Sequence, residues 1–220
     1  MRLGSFIMTV AHLLTLMGHL SLGNDNINAA ERAIFLQYLN LAHFELYQST
    51  ASLNQQLYEF EVLEKEEGEA DVTLAKTPYT MGMVYIRSLK KKLKHLSLQE
   101  AIEDNPDRSR HGEPHGYTLR QNNLLMVWPF DPRPLPLVIW YIPQPTPMTE
   151  QSPEQDIPYP SAYHPVLVDG ALYYLFQEEG GFKNAQKAQA AEQRWEIGKS
   201  RLVSHLYNTS GGNLSTFSSI

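Results

Sequence analysis

Three residues at alternating positions, His111, Glu113 and His115, carry the side chains best suited to binding a metal ion. Imidazole and carboxylate groups are both common zinc ligands. Glycine and proline residues alternate with the three candidates, so the segment is predicted to be a bent loop, which does not hold three ligands in fixed positions. We therefore interpret 107–116 as a structural loop and expect no metal or other cofactor.

Other catalytic chemistry has little support in the sequence. It contains no nucleophile elbow, phosphate-binding glycine loop, metalloprotease helix or dinucleotide-binding fingerprint. The absence of cysteine excludes disulfides, thiolate catalysis and Cys-ligated zinc. The neighbouring carboxylates lie at predicted turns and helix ends, where solvation explains them better than acid–base catalysis. We predict that the chain is not an enzyme. These carboxylate pairs are Glu66–Glu67, Glu103–Asp104 and Glu178–Glu179.

Length and charge limit the class of protein further. With 220 residues, 42% of them hydrophobic, the chain is long enough for one domain or for a domain with a sizeable insertion. The formal net charge is −6, so the protein has no general basic field to attract nucleic acid. A passive, weakly repulsive surface beside DNA remains compatible with this charge.

Four lysines, Lys90, Lys91, Lys92 and Lys94, form the only concentrated positive patch of the sequence. They have no interleaved aromatic residues, so we interpret them as a solvated edge or a partner-facing patch in preference to a DNA contact. The segment 88–97 fits either a helix or an edge strand protected by lysines.

Apolar residues recur at three- and four-residue steps in four segments, which predicts four helices. The first, 6–17, is interrupted by histidine and lacks a cleavage site, so we interpret it as a packed helix and expect no membrane association. The second is capped by Asn26 and continues to Thr50. The third runs to Glu179 from a cap at Ser161, and because nearly every side is apolar we expect it to be central. The fourth runs from Lys183 to Tyr207.

The middle of the chain has the alternation and apolar runs of β-strands. Short strands are predicted at 57–63, 70–75 and 83–87, and stronger ones at 124–128 and 137–142. Trp128 and Trp140 lie in the two strong strands and are predicted to be core or interface anchors. The sequence therefore predicts an α+β fold, in which an antiparallel helical bundle built from both chain ends carries an inserted β-rich subdomain and an extended C-terminal tail. The predicted boundaries are 1–50, 51–157, 158–207 and 208–220.

The last thirteen residues are polar and glycine-rich. Alone, such a segment is predicted to lack a packed core of its own. Leu214, Phe217 and Ile220 are its spaced apolar side chains, and they could anchor it on a partner.

The order of these elements, together with several short motifs, resembles the head-to-tail adaptor proteins of tailed bacteriophages. The likeness runs roughly from Asn26 to Tyr207, and the last of the motifs carries the most weight. The motifs are Gly112-x-Pro114-x-x-Tyr117, Val127-Trp-Pro129, Val138-Ile-Trp-Tyr141, Ile157-Pro-x-x-x-x-Tyr163-His164 and the apolar segment Tyr163–Leu175.

This resemblance implies a non-enzymatic virion protein that is assembled in the host cytoplasm and lies in the neck. Its copies would form a ring, expected to be dodecameric, which binds the portal protein, extends the DNA channel and receives tail or nozzle proteins. DNA would pass without sequence-specific binding. The resemblance also implies that 208–220 docks on the portal, and the apolar residues Leu214, Phe217 and Ile220 are the predicted anchors. On their residue types, Trp128, Trp140, Lys90, Lys91 and Lys92 are candidates for subunit or partner contacts.

Two other interpretations remain open at this stage. One is a tail-completion or baseplate-type structural protein, whose β-rich middle contacts other tail proteins. The other is an unrelated regulator, or an enzyme that uses the loop from His111 to His115.

Overall fold

The computed structural model describes residues 8–69, 71–104, 111–121, 123–178 and 181–210. Two compact units divide them. One, the helical unit, combines the residues up to Gln56 with those from Pro145 onward, and the other, the sheet unit, is Leu57–Gln144. The elements in chain order are α1 (Val10–Leu22), α2 (Ala29–Thr50), β1 (Glu59–Lys65), β2 (Asp71–Thr73), β3 (Pro78–Ile86), β4 (Lys91–His95), α3 (Leu98–Asp104), β5 (Gly116–Gln121), β6 (Leu124–Trp128), β7 (Leu135–Pro143), α4 (His164–Gln177) and α5 (Ala185–Thr209).

Helix α2 starts two residues later than the sequence predicted. The side chain of Asn28 accepts hydrogen bonds from the backbone N–H groups of Ala30 and Glu31, and the carboxylate of Glu31 accepts one from the backbone N–H of Asn28. This reciprocal pair satisfies donors that the first helical turn leaves free. Asn26 instead closes the preceding turn with Asn24.

Helix α4 packs against α1, α2 and α5, as expected for a central helix. It begins at His164, after a short 3₁₀ turn at 161–163, so Ser161 does not cap it. Small residues allow the close approach of α5: Gly170 lies against Trp195, and Gly198 lies against Val166. The helices of both chain ends thus share one core, while their antiparallel bundle arrangement stays a prediction.

The residues that come just before and just after the sheet unit in the chain belong to the helical unit. Asn40 exchanges two hydrogen bonds with the backbone of Met148, at 3.0 and 2.7 Å. Asn54 donates to the carbonyl of Pro158 at 2.7 Å. Met148 and Ile157 are buried in the helical core. These contacts explain why the sheet unit is shorter at both ends than the predicted insertion, 51–157.

In the described part of the chain the sheet has seven strands, in the order β1-β7-β3-β4-β5-β6-β2. All neighbours are antiparallel except β4 and β5, whose short parallel pairing follows the crossover through α3. The strands at the two ends of this order, β1 and β2, approach each other. The sheet is therefore barrel-like and encloses its own core, which is more than the simple inserted subdomain that the sequence predicted.

Strand β4 resolves the ambiguity of the lysine-rich segment and corrects part of the prediction. The segment is a strand, but it is not at an edge, because β3 and β5 flank it on both sides. Leu93 is buried in the sheet core opposite Val84, while Lys92 and Lys94 are exposed. Alternation around one buried leucine thus favours a strand over a helix.

Candidate interaction surfaces

A patch of apolar side chains covers the outer face of three adjacent strands, β1, β7 and β3. Register places them in two level rows: Phe60 beside Trp140 beside Met83, and Val62 beside Val138 beside Tyr85. None of these six residues is part of the core cluster inside the sheet, whose members alternate with them on the inner face. Val138, on the central strand, is nevertheless buried, with 8% of its surface exposed. We call these six residues the outer patch.

Three residues of the outer patch, Phe60, Val62 and Trp140, are exposed to solvent. The rings of Phe60 and Trp140 lie 4.9 Å apart, and the residues are 48% and 39% exposed. Val62, which is 45% exposed, extends the surface along β1. Contiguous exposed apolar side chains of this size mark contact sites more often than isolated ones do. Sequence reasoning identified Trp140 but missed Phe60 and Val62, although the alternation of Tyr58 to Leu63 contains the signal.

Opposite charges lie on the two sides of the outer patch. The end of β1 and the turn that follows it, which together we call the acidic turn, expose Glu64, Glu66, Glu67 and Glu69. The turn from β3 into β4 and the start of β4, which together we call the basic turn, expose Arg87, Lys90 and Lys92. Lys91 differs from its neighbours, because it is half-buried and pairs with Glu113 at 2.7 Å.

Lys65 anchors the acidic turn from within the sheet. Its side chain is fully buried, and its ammonium group donates to the carbonyls of Glu66 and Glu69 at 3.1 and 2.9 Å. The same group lies 5.6 Å from the centre of the Phe130 ring. Nearby, hydrogen bonds from Arg133 hold the pKa of the buried Asp131 below its usual value. The acidic turn is therefore held in a defined shape by internal contacts.

Trp128 lies in a different environment from Trp140. It is 3% exposed and packs with Leu96, Ala101 and Met126 in a small cluster of its own. Of the two roles predicted for Trp128, core anchor and interface anchor, its buried position fits the core anchor. The exposed tryptophan of the sheet is Trp140.

The loop from His111 to His115 is tied to neighbouring strands by contacts other than metal ligation. Glu113 is engaged with Lys91, and the ring of His111 contacts that of Phe130 at 5.2 Å. Within the described ranges, no three histidine or acidic side chains are placed to hold a metal ion.

Carboxylates from two of the predicted pairs accept hydrogen bonds from other side chains. Glu178 accepts a hydrogen bond from Tyr38, and Glu103 accepts one from Gln99 at 2.8 Å. Desolvation and the neighbouring Glu178 raise the pKa of Tyr38 to about 12, so this phenol stays protonated at neutral pH. Such a bond links α2 to the end of α4, and it does not present a reactive group.

Buried histidines in the helical unit serve the core. The hydroxyl of Tyr159 donates to the backbone carbonyl of His43 at 3.2 Å and lies 3.3 Å from its Nδ1 atom. Desolvation lowers the pKa of His43 to about 4, although a backbone hydrogen bond with Thr146 acts in the opposite direction. His164 bonds through Nε2 to the carbonyl of Tyr159 at 2.9 Å. These two histidines thus fasten α2 and α4 to the segment that precedes α4.

The predicted docking residues Leu214, Phe217 and Ile220 lie outside the described residues. The described chain ends at Ser210, and α5 continues to Thr209. The predicted tail at 208–220 therefore begins within the last turn of α5. No helix in the described ranges is both long and apolar enough to cross a bilayer.

An exposed apolar surface with charged turns on its two sides, as the sheet unit has, is a feature of proteins that pack against other proteins. A model of one protein family, described as SU10 adaptor protein, matches residues 1–211. The chain belongs to this family. Membership is consistent with a phage structural adaptor protein and implies a non-enzymatic, virion-associated role. No curated protein matches the chain.

Proposed function

We propose that this chain is the subunit of a ring that lies below the portal, extends the DNA channel and joins the head to the tail. The observation that carries the proposal is the adaptor family match across residues 1–211. The ring is expected to be dodecameric, in line with the resemblance to head-to-tail adaptors. Its partners are further copies of itself, the portal protein and the tail or nozzle proteins.

The net charge of the chain supports a role beside DNA that does not require binding. At −6, the chain carries no excess of lysine and arginine that would neutralise phosphates. A channel that repels DNA weakly lets the duplex slide without sticking. The lysines of the basic turn are then available for protein contacts.

A stoichiometric count tests the position in the neck. Mass spectrometry of purified particles, with labelled reference peptides, would measure copies of this chain relative to the portal protein. We expect about one copy of this chain for each portal subunit. Absence from particles would overturn the proposal, and a ratio far from one would favour the tail-completion or baseplate-type alternative.

A second test concerns the tail segment. We propose that residues 211–220 bind the portal through Leu214, Phe217 and Ile220, and that truncation after Ser210 abolishes portal binding while the helical unit keeps its stability. Replacing the three apolar residues by serine is the matched variant, because it keeps the length. Binding retained by both variants would eliminate the docking role.

A further inference from the structure

We infer that the sheet units of neighbouring copies pack head to tail, with the acidic turn and β1 of one copy against the basic turn and β3–β4 of the next. The inference rests on the proposed ring and names the surface that closes it. The occupant of the outer patch is thus a second copy of this chain. Charge complementarity between the two sides of the same patch is the observation that selects this occupant.

The two turns lie at the same end of the sheet. Both β1 and β3 run antiparallel to β7, so they point in the same direction. Glu64 pairs with Pro136 of β7, and the backbone N–H of Arg87 donates to the carbonyl of the same Pro136 at 3.1 Å. The acidic and basic turns are therefore level with each other, with one strand between them.

Level placement is what a ring requires. Rotation about a ring axis moves each copy around the axis but leaves the height of every atom along that axis unchanged. Two surfaces that meet in a ring must therefore lie at the same height on one copy, on opposite flanks. For an axis roughly parallel to β7, the acidic and basic turns lie at the same height, since both are level with Pro136, and they lie on the two sides of β7. A head-to-tail contact between them would repeat until the ring closes.

The charged groups are available for this contact. Within the described part of the chain, neither Glu64 nor Lys90 nor Lys92 takes part in an ion pair. Inside one copy β7 separates the acidic turn from the basic turn. Pairing across two copies would bring both partners together without rearranging either turn.

Apolar contact accompanies the charge contact. Val62, Val138, Tyr85 and Lys92 form one level row across four strands. In the head-to-tail arrangement the exposed Val62 and Phe60 of one copy reach Tyr85 and the stem of Lys92 in the next. Lysine stems cover apolar surface in this way while the ammonium group stays near an acid.

Oxidative cross-linking tests the contact directly, because the natural chain contains no cysteine. The full-length double variant Glu66→Cys/Ser88→Cys places one thiol in each turn. Within one copy the two positions are separated by roughly two strand spacings, about 9.5 Å, beyond the reach of a disulfide. We expect a ladder of covalent oligomers longer than dimers, and only monomers from either single variant or from Glu66→Cys/Gln121→Cys, whose second thiol lies on β5. Dimers alone would indicate two-fold packing and overturn the inference, as would the absence of cross-links.

Charge reversal provides an independent measurement. Glu64→Lys/Glu66→Lys and Lys90→Glu/Lys92→Glu each place like charges in the contact, and each should weaken self-association about tenfold or more. Mixing the two variants restores opposite charges at every contact and should restore assemblies of more than two copies. Normal assembly of either variant alone would overturn the inference.

The outcomes separate this inference from the proposed function. A chain that is present at portal stoichiometry in particles but forms no ladder would keep its neck role and lose the head-to-tail contact. A ladder from a chain that is missing from particles would keep the contact and lose the neck role.

Discussion

Gly170 of α4 lies directly against the indole ring of Trp195 on α5. A methyl group added at Gly170 would lie 2.8–2.9 Å from three atoms of that ring. Trp195 is 1% exposed, and the ammonium group of Lys199 lies 5.0 Å from its ring centre. The indole therefore has little freedom to move aside. This contact sets how closely α4 and α5 approach.

Gly170→Ala is expected to destabilise the helical unit. Overpacking costs about 1–3 kcal/mol, and alanine recovers roughly 1 kcal/mol of helix propensity, so the net loss should be up to about 2 kcal/mol. Urea unfolding followed by circular dichroism measures it. Gly181→Ala is the matched control, since nothing lies within 4 Å of an added methyl group there. A midpoint raised by Gly170→Ala, as helix propensity alone would raise it, would contradict the tight contact.

His43 is expected to make the helical unit less stable in mild acid. Its pKa is lowered from 6.5 to about 4 in the fold, so the unfolded chain binds the proton more tightly. The stabilising contribution is complete above pH 6.5 and is lost as pH falls from there to about 4. Between pH 7.5 and pH 5 the loss should be about 2 kcal/mol.

The variant His43→Gln removes this titration and should flatten the stability profile over the same pH range. Unfolding midpoints at several pH values measure both proteins. His12→Gln is the control, because His12 is exposed. If His43→Gln kept the full slope, another group would be responsible for it.

Lys65→Met is expected to loosen the acidic turn. The carbonyls of Glu66 and Glu69 would lose their buried donor, at a cost of about 1–3 kcal/mol. Hydrogen exchange of the turn amides and the thermal midpoint of the sheet unit report the change. Lys76→Met is the comparison, because Lys76 pairs with Glu59 at 2.5 Å but is largely exposed, and its loss should cost below about 1 kcal/mol.

The two tryptophans of the sheet should respond differently to the same substitution. Trp128→Ser removes a buried ring and should destabilise the sheet unit by about 3–5 kcal/mol. Trp140→Ser should leave the unfolding midpoint close to that of the natural chain while reducing self-association in analytical ultracentrifugation. The opposite pattern would place the interface anchor at Trp128.

The helices and most strands could be predicted from the sequence because their patterns are local. The three- and four-residue period of α4 and the apolar run of β7 are set by the burial of each element alone. The internal position of β4 was not predictable in this way, since it depends on a parallel pairing with β5 across α3. The outer patch was partly missed for the same reason, as Phe60 and Trp140 become neighbours only through strand register.

Strands β1 and β7 are the first and last strands of the sheet unit, and they pair directly, with Glu59 opposite Tyr141. The chain therefore departs for the sheet and returns from it at adjacent points, as it would around a single tight hairpin. For the helical unit, eighty-eight residues from Leu57 to Gln144 are topologically equivalent to one short turn. A longer, shorter or different segment between the same two strands would consequently leave the chain ends that meet the helical unit adjacent to each other.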